Sequence, residues 1–241
     1  MISGETALRV WGYPVPGSWR VTDDIDVIVP TDAARPRTRG VRSRRLATGR
    51  AQHWRIGSLP IVDPLTALFV CVASFTDDAL VVILDALVTT ADNYPGLRAD
   101  RPGHTVEGIE ARLREWGRFA GCARVRAALP FVRAAVESPK ETETRLLIVA
   151  ARLPEPVVQH EIRRDGIFIA RSDLAYPNLR IAIEYEGDGH RTDRDQWRRD
   201  IQRQRDLEDS GWVVIRATQL DLDNDGRMLL DRIRRAIASR S

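Results

Sequence analysis

The segment IAIEYEGDGH, residues 181–190, places Glu184, Glu186 and Asp188 at the end of an apolar alternation typical of a strand. Before it, GIFIARSDLAY and RIAIEYEG are joined by YPNLR, a turn-forming stretch. A hairpin centred between Asn178 and Leu179 sets Asp173 opposite Glu184 and Arg171 opposite Glu186. Side chains paired in this way lie about 4.5–5.5 Å apart at Cβ. The two-residue period of a strand then gathers Arg171, Asp173, Glu184 and Glu186 on one face, and gives Leu174, Ile181, Ile183 and Tyr185 to the core face.

Facing carboxylates destabilise a sheet unless a cation neutralises them. A hard divalent ion, Mg²⁺ or Mn²⁺, is held by one or two carboxylates and keeps water ligands that a phosphate oxygen can replace. Such an ion polarises a phosphodiester and lowers the pKa of an attacking water. Asp173 and Glu184 are the expected ligands, and Glu143 on the preceding helix is a third carboxylate able to reach the same place. A plainer account stands beside this one. Arg171 and Glu186 form a cross-strand ion pair, and Asp173 and Glu184 are solvated. Slipping the register by one residue would separate the acids altogether.

The elements that must position these groups follow a regular series. A break falls at VESPKETE, so residues 1–137 and 138–241 are expected to be separate domains. Ser138-Pro139 opens a helix over TETRLLIVAARL. VVQHEI, GIFIARSDLAY and RIAIEYEG read as strands, DRDQWRRDIQRQRDLEDS as a polar helix ended by Gly211, WVVIRAT as a strand and RMLLDRIRRAIA as a last amphipathic helix. The resulting order is α-β-β-β-α-β-α, an α/β core with a mixed sheet. Leu174, Ile181, Ile183, Val213 and Ile215 are its expected interior. The first domain reads as a smaller α+β unit with a helical segment. ETALRVWG and DVIVP are a helix and a strand, a basic stretch RPRTRGVRSRR follows, and then come DPLTALFVCVASF, DALVVILDALVTT, TVEGIEARLREW and CARVRAAL as helices.

Composition sets the class. With 241 residues, 43% hydrophobic and 29% charged, the chain reads as globular. It has no apolar run long enough for a membrane span. Its start, MISGETALRV, lacks the charged head and apolar stretch of a secretory signal. Two cysteines, Cys71 and Cys122, without a CxxC pair, argue against a disulfide framework or a structural zinc site and fit a reducing cytoplasm. Residues 138–241 carry 19 basic and 19 acidic side chains, so the formal excess of +3 falls in the first domain. Lys140 is the one lysine; every other basic residue is an arginine.

The motif D-x10-E-x-E with G-x-x-H after it, set between RSDLAYPNLR and a D-x-x-R-x-x-x-L-x-x-x-GW-x-V-x-R tail, resembles the domain-of-unknown-function 559 family. That family is similar to the very-short-patch-repair endonucleases, within the restriction-endonuclease-like PD-(D/E)XK fold. The resemblance runs over 138–218 through SPKETETRL, VVQHEI, SDLAYP, IAIEYEGDGHRT and DIQRQRDLEDSGWVVIRAT. The first domain resembles, more distantly, the segment that precedes this one in many actinobacterial proteins described as similar to abortive-infection antitoxins.

What the resemblance implies is a Mg²⁺- or Mn²⁺-dependent endonuclease that hydrolyses DNA in repair or defence. Its first-helix acid would be Glu143 and its motif acids Asp173 and Glu184, with Glu186 and His190 assisting the attacking water. Arg203, Arg171 and Arg191 would contact the nucleic acid, and the N-terminal domain would take a protein partner. Where the wider superfamily usually has lysine, this chain has Glu186. A non-catalytic DNA-binding regulator or antitoxin-like protein on an inactive nuclease fold is the rival reading.

Other signals are weaker. Gly17-Ser18 ahead of Asp24-Ile25-Asp26 is reminiscent of the metal-binding turn of nucleotidyltransferases, with a polar strand start as the plain alternative. The arginines between Arg35 and Arg45 could track a phosphate backbone or edge a solvated strand. His53, His104 and His160 lack metal-ligand spacing. Trp197 and Trp212 read as core anchors.

Overall fold

A computed structural model describes residues 1–47, 49–187 and 194–240, with side chains described throughout except over 194–200. The chain divides into two compact units, Met1–Ala134 and Ala135–Ser241, three residues ahead of the expected boundary. Val136 and Glu137 therefore belong to the second unit, and Glu137 has a role in its site.

In the first unit, helix α1 (Gly4–Trp11) is closed by Gly12 at φ 84°, a left-handed position that suits glycine. Strand β1 (Ile25–Val29) lies parallel to β2 (Val41–Arg45), and β3 (His53–Ile56) pairs antiparallel with β4 (Leu59–Val62). The second half of the basic stretch is thus a strand, and its charges are engaged. Arg42 donates to Asp26 at 2.6 Å, Arg44 to the Val70 carbonyl at 3.0 Å, and Arg45 pairs with Asp32 at 3.4 Å. Helices α2 (Pro64–Cys71) and α3 (Asp77–Val88) are apolar on nearly every side and almost wholly buried, as helices without a polar face must be. Thr105 caps α4 (Val106–Trp116), whose buried face is Ile109, Leu113 and Trp116, and α5 (Cys122–Ala128) follows.

The second unit begins with α6 (Pro139–Ala150), N-capped by Ser138. A four-stranded mixed sheet follows in the order β5 (Val157–Arg164), β6 (Ile167–Tyr176), β7 (Ile181–Glu186), β8 (Val213–Thr218). The first three strands are antiparallel neighbours, and β7 and β8 run parallel, linked through α7 (Arg194–Asp209). Two helices close the unit, the short α8 (Gln219–Asp223) and α9 (Arg227–Ala238). The expected series of elements is present, with α8 added.

Both faces of the sheet are covered. One face packs Leu174, Tyr176, Ile181, Ile183 and Ile215 against Ile148 of α6 and Leu229, Leu230 and Ile233 of α9. The opposite face sets Ile162, Ala170 and Ala182 against Leu207 of α7, with Trp212 and Val214 alongside. Leu174, Ile181, Ile183 and Ile215 are buried as expected, and Val213 is half-buried at the same core. The face carrying the acidic motif is therefore an interior face roofed by α7, because small residues at Ala170 and Ala182 let the helix approach. Among the described residues no helix is long and apolar enough to cross a membrane.

Candidate functional site

The hairpin register matches the sequence reading where the strands pair: Leu174 faces Ile183, Ala175 faces Ala182 and Tyr176 faces Ile181. Pairing runs no further than Leu174 and Ile183. The expected opposition of Asp173 to Glu184 and of Arg171 to Glu186 is replaced by a splayed end. There the Asp173 carboxylate takes over the ladder, its Oδ2 accepting the Tyr185 backbone N–H at 2.8 Å. On the other side of β6, strand β5 pairs up to Val158 with Leu174 and again from His160 with Ser172. Gln159, between these pairs, adopts φ 50°. A non-glycine residue in this region stores about 1–3 kcal/mol of strain and persists only where its surroundings hold it. The backbone is thus distorted on both sides of Asp173.

Glu184 is 7% exposed. Its Oε2 accepts from Arg203 Nη2 of α7 at 2.7 Å. Its Oε1 is buried without a hydrogen-bond partner among the described residues. Burial raises the carboxyl pKa of Glu184, and the nearby charge of Asp173 raises it further while Arg203 opposes. Burial likewise raises the Asp173 carboxyl, against the Tyr185 N–H and the Arg203 charge, which lower it. Asp173 and Glu184 are thus two desolvated acids coupled by charge, an arrangement that a cation could neutralise.

The acid that α6 brings toward Asp173 is Glu141, not the expected Glu143. Glu143 points to Lys140 one turn back, at 2.7 Å. Glu141 is 5% exposed, and its carboxylate accepts from the Glu137 N–H at 3.0 Å, the Ser138 hydroxyl at 2.8 Å and Gln159 Nε2 at 2.8 Å. Burial, then the charge of Asp173, push its pKa up to about 7. Ser138 and Glu141 had the S-x-x-E spacing of a helix-capping pair, which was the signal that could have found Glu141. Among the described residues no group of three or more His, Cys, Asp or Glu side chains is close enough to hold a metal, so the trio Asp173, Glu184 and Glu143 is not assembled.

The cross-strand pair of Arg171 with Glu186 is also replaced. Arg171 binds Glu137, at the start of the second unit. Glu186 binds Arg216 of β8. The β6–β7 ladder ends at Leu174 and Ile183, and β8, paired in parallel with β7, offers Glu186 a cation within ion-pair distance. His190 and Arg191 lie outside the described residues. So does the side chain of Trp197. Trp212 packs on the inner face, its ring 5.8 Å from that of His160 and tilted by 35° to it.

In the first unit Asp26 is buried, and its carboxylate receives Arg42 while its N–H donates to Thr6 Oγ1. The Gly17-Ser18 turn is held by Arg9, which donates to the Pro16 and Gly17 carbonyls. These contacts tie the D-x-D stretch to α1 at the start of β1, with Asp26 Oδ2 buried and without a hydrogen-bond partner among the described residues.

Two curated sequences from Mycobacterium tuberculosis are similar to this chain. They are "Uncharacterized protein MT2308" of strain CDC 1551 / Oshkosh and "Uncharacterized protein Rv2248" of strain ATCC 25618 / H37Rv. Each is 32% identical over 127 residues, 53% of this chain. The match covers 47% of each relative, so the chain spans about half the length of the proteins it resembles. No family model matches the chain. No solved structure matches it.

Proposed function

We propose that residues 135–241 form a restriction-endonuclease-like domain that hydrolyses phosphodiester bonds in DNA with the help of Mg²⁺ or Mn²⁺. The observation that carries this reading is the Asp173–Glu184 pair, a half-buried and a buried carboxylate that are electrostatically coupled, with Glu184 Oε1 lacking a hydrogen-bond partner among the described residues, at the end of a parallel strand pair. Crevices outside the carboxyl ends of strands are where α/β sheets bind ligands. The donor set is oxygen only, which suits a hard divalent ion and not zinc. Asp173 and Glu184 would hold it, with the remaining positions left to water and phosphate oxygen.

When bound, the ion would polarise the scissile phosphate and acidify a water. The chain's own groups do the rest. Tyr185 N–H fixes the Asp173 carboxylate, and Arg203 of α7 fixes that of Glu184. Glu141 orients the start of α6 against Asp173 and takes the place given to Glu143. His190 retains the role of candidate base; Glu186 is committed to Arg216.

A specific observation favours the rival, a DNA-binding protein that does not cut: Arg203 and Arg216 already neutralise Glu184 and Glu186. Incubating supercoiled plasmid with the pure chain separates the two. Nicking is expected in Mn²⁺ or Mg²⁺ and none in EDTA. DNA binding with no cleavage of duplex or single strands in either ion would rule out the nuclease and leave the regulator.

A further inference from the structure

Arg216 lies on β8 in register with Glu184, on the same interior face of the sheet as the two site carboxylates. Its guanidinium is gripped from two different elements. Nη1 meets Glu186 of β7, and Nη2 donates to Gln204 Oε1 of α7 at 2.6 Å. Even so, its side chain is 40% exposed. A guanidinium has five N–H donors in a rigid fork, so donors remain free after these two bonds, and their direction is set in advance. Such a group differs from an ordinary surface arginine, which must lose rotamer freedom when it is ordered.

The charges around it favour an anion once a divalent cation is present. Asp173, Glu184 and Glu186 supply three negative charges, while Arg203, Arg216 and the ion together exceed them. We propose that Arg216 is the residue that grips a DNA phosphate at this site, with Glu186 and Gln204 acting as positioning residues that aim its free donors. The proposal rests on the nuclease reading for the identity of the anion. It reassigns Glu186 from assisting the attacking water to holding a phosphate-binding arginine.

The test uses the full chain carrying Asp173→Asn, which removes cleavage and one of the three negative charges, so that Arg203 and Arg216 balance Glu184 and Glu186 without a bound ion. Affinity for a short duplex is followed by fluorescence anisotropy across a salt series. Each phosphate contact contributes about −0.9 to the slope of log K against log salt. Arg216→Gln is expected to lower the magnitude of that slope by about one, as loss of one phosphate contact should. Arg216→Lys is expected to keep the slope, because the charge stays, but to weaken binding several-fold, because the aimed fork is gone. It also serves if the glutamine variant does not fold. Glu186→Gln should keep the slope while weakening binding. If the parent binds DNA and neither Arg216 variant changes slope or affinity, Arg216 is only a structural partner of Glu186 and this proposal fails alone. If the parent binds no DNA, the nuclease reading fails with it.

Discussion

Replacing Asp173 with asparagine is expected to abolish DNA cleavage while leaving the fold and the DNA affinity in place. An amide is nearly isosteric with a carboxylate and still offers an oxygen to the Tyr185 N–H, so the contact that orders the splayed end of the hairpin survives. What is lost is the charge and the hard-ion ligation. Mutating groups that merely support a metal ligand costs about 10–100-fold in affinity or activity, so loss of a ligand itself should exceed about 100-fold in rate. Because burial disfavours the charged Asp173, the asparagine variant should melt at the same temperature as the parent in EDTA, or slightly higher. Glu143→Gln, beside it, should cut normally, since among the described residues Glu143 pairs with Lys140. A nicking assay paired with thermal melts in EDTA checks both variants against the parent. Full activity in Asp173→Asn, or loss of activity in Glu143→Gln with Asp173→Asn spared, would place the chemistry elsewhere.

The second large effect is on stability and concerns Glu141. Its carboxyl has an ordinary pKa of 4.5 and is held at about 7 in the folded chain. Between these values the folded state binds a proton that the unfolded state has released, so stability falls as pH rises through this window. The contribution is fully present below about pH 4.5 and is lost above about pH 7. Its size is on the order of 3 kcal/mol, at 1.36 kcal/mol for each unit of displacement. Asp173 and Glu184, also raised, act with the same sign. In EDTA, hydrogen exchange of the β7 amides should therefore report a second unit that loosens from pH 5 to pH 8. Glu141→Gln, neutral throughout, should remove most of that dependence. A variant whose pH profile tracks the parent's would show that Glu141 is ionised in the folded state.

Much of this arrangement was legible before any coordinates, and the reasons are local. The strand alternation in IAIEY fixes which side chains are apolar and inward, and YPNLR fixes the register, so Leu174, Ile181 and Ile183 are core where the period placed them. What failed was anything that depends on where pairing stops. A period-2 rule assumes a continuous ladder, and it cannot foresee that Asp173 would leave the ladder to bind the Tyr185 amide or that Gln159 would turn to φ 50°. Arg171 and Glu186 consequently found Glu137 and Arg216, residues distant in sequence. Glu141 was missed for a different reason. On a helix, residues two apart point to different sides, and the choice between Glu141 and Glu143 was settled by Lys140 and by the capping geometry at Ser138. The two-stranded pairings of the first unit were also hidden, since strands of four or five residues with exposed arginines carry little apolar signal.

The central claim is that Asp173 and Glu184 together hold a divalent cation. Titrating Mn²⁺ into the metal-free full chain, read by calorimetry, tests it without any assumption about substrate. The account predicts saturable binding that is lost in Asp173→Asn and in Glu184→Gln and kept in Glu143→Gln. Binding of equal strength in Asp173→Asn, or none in the parent, would contradict it.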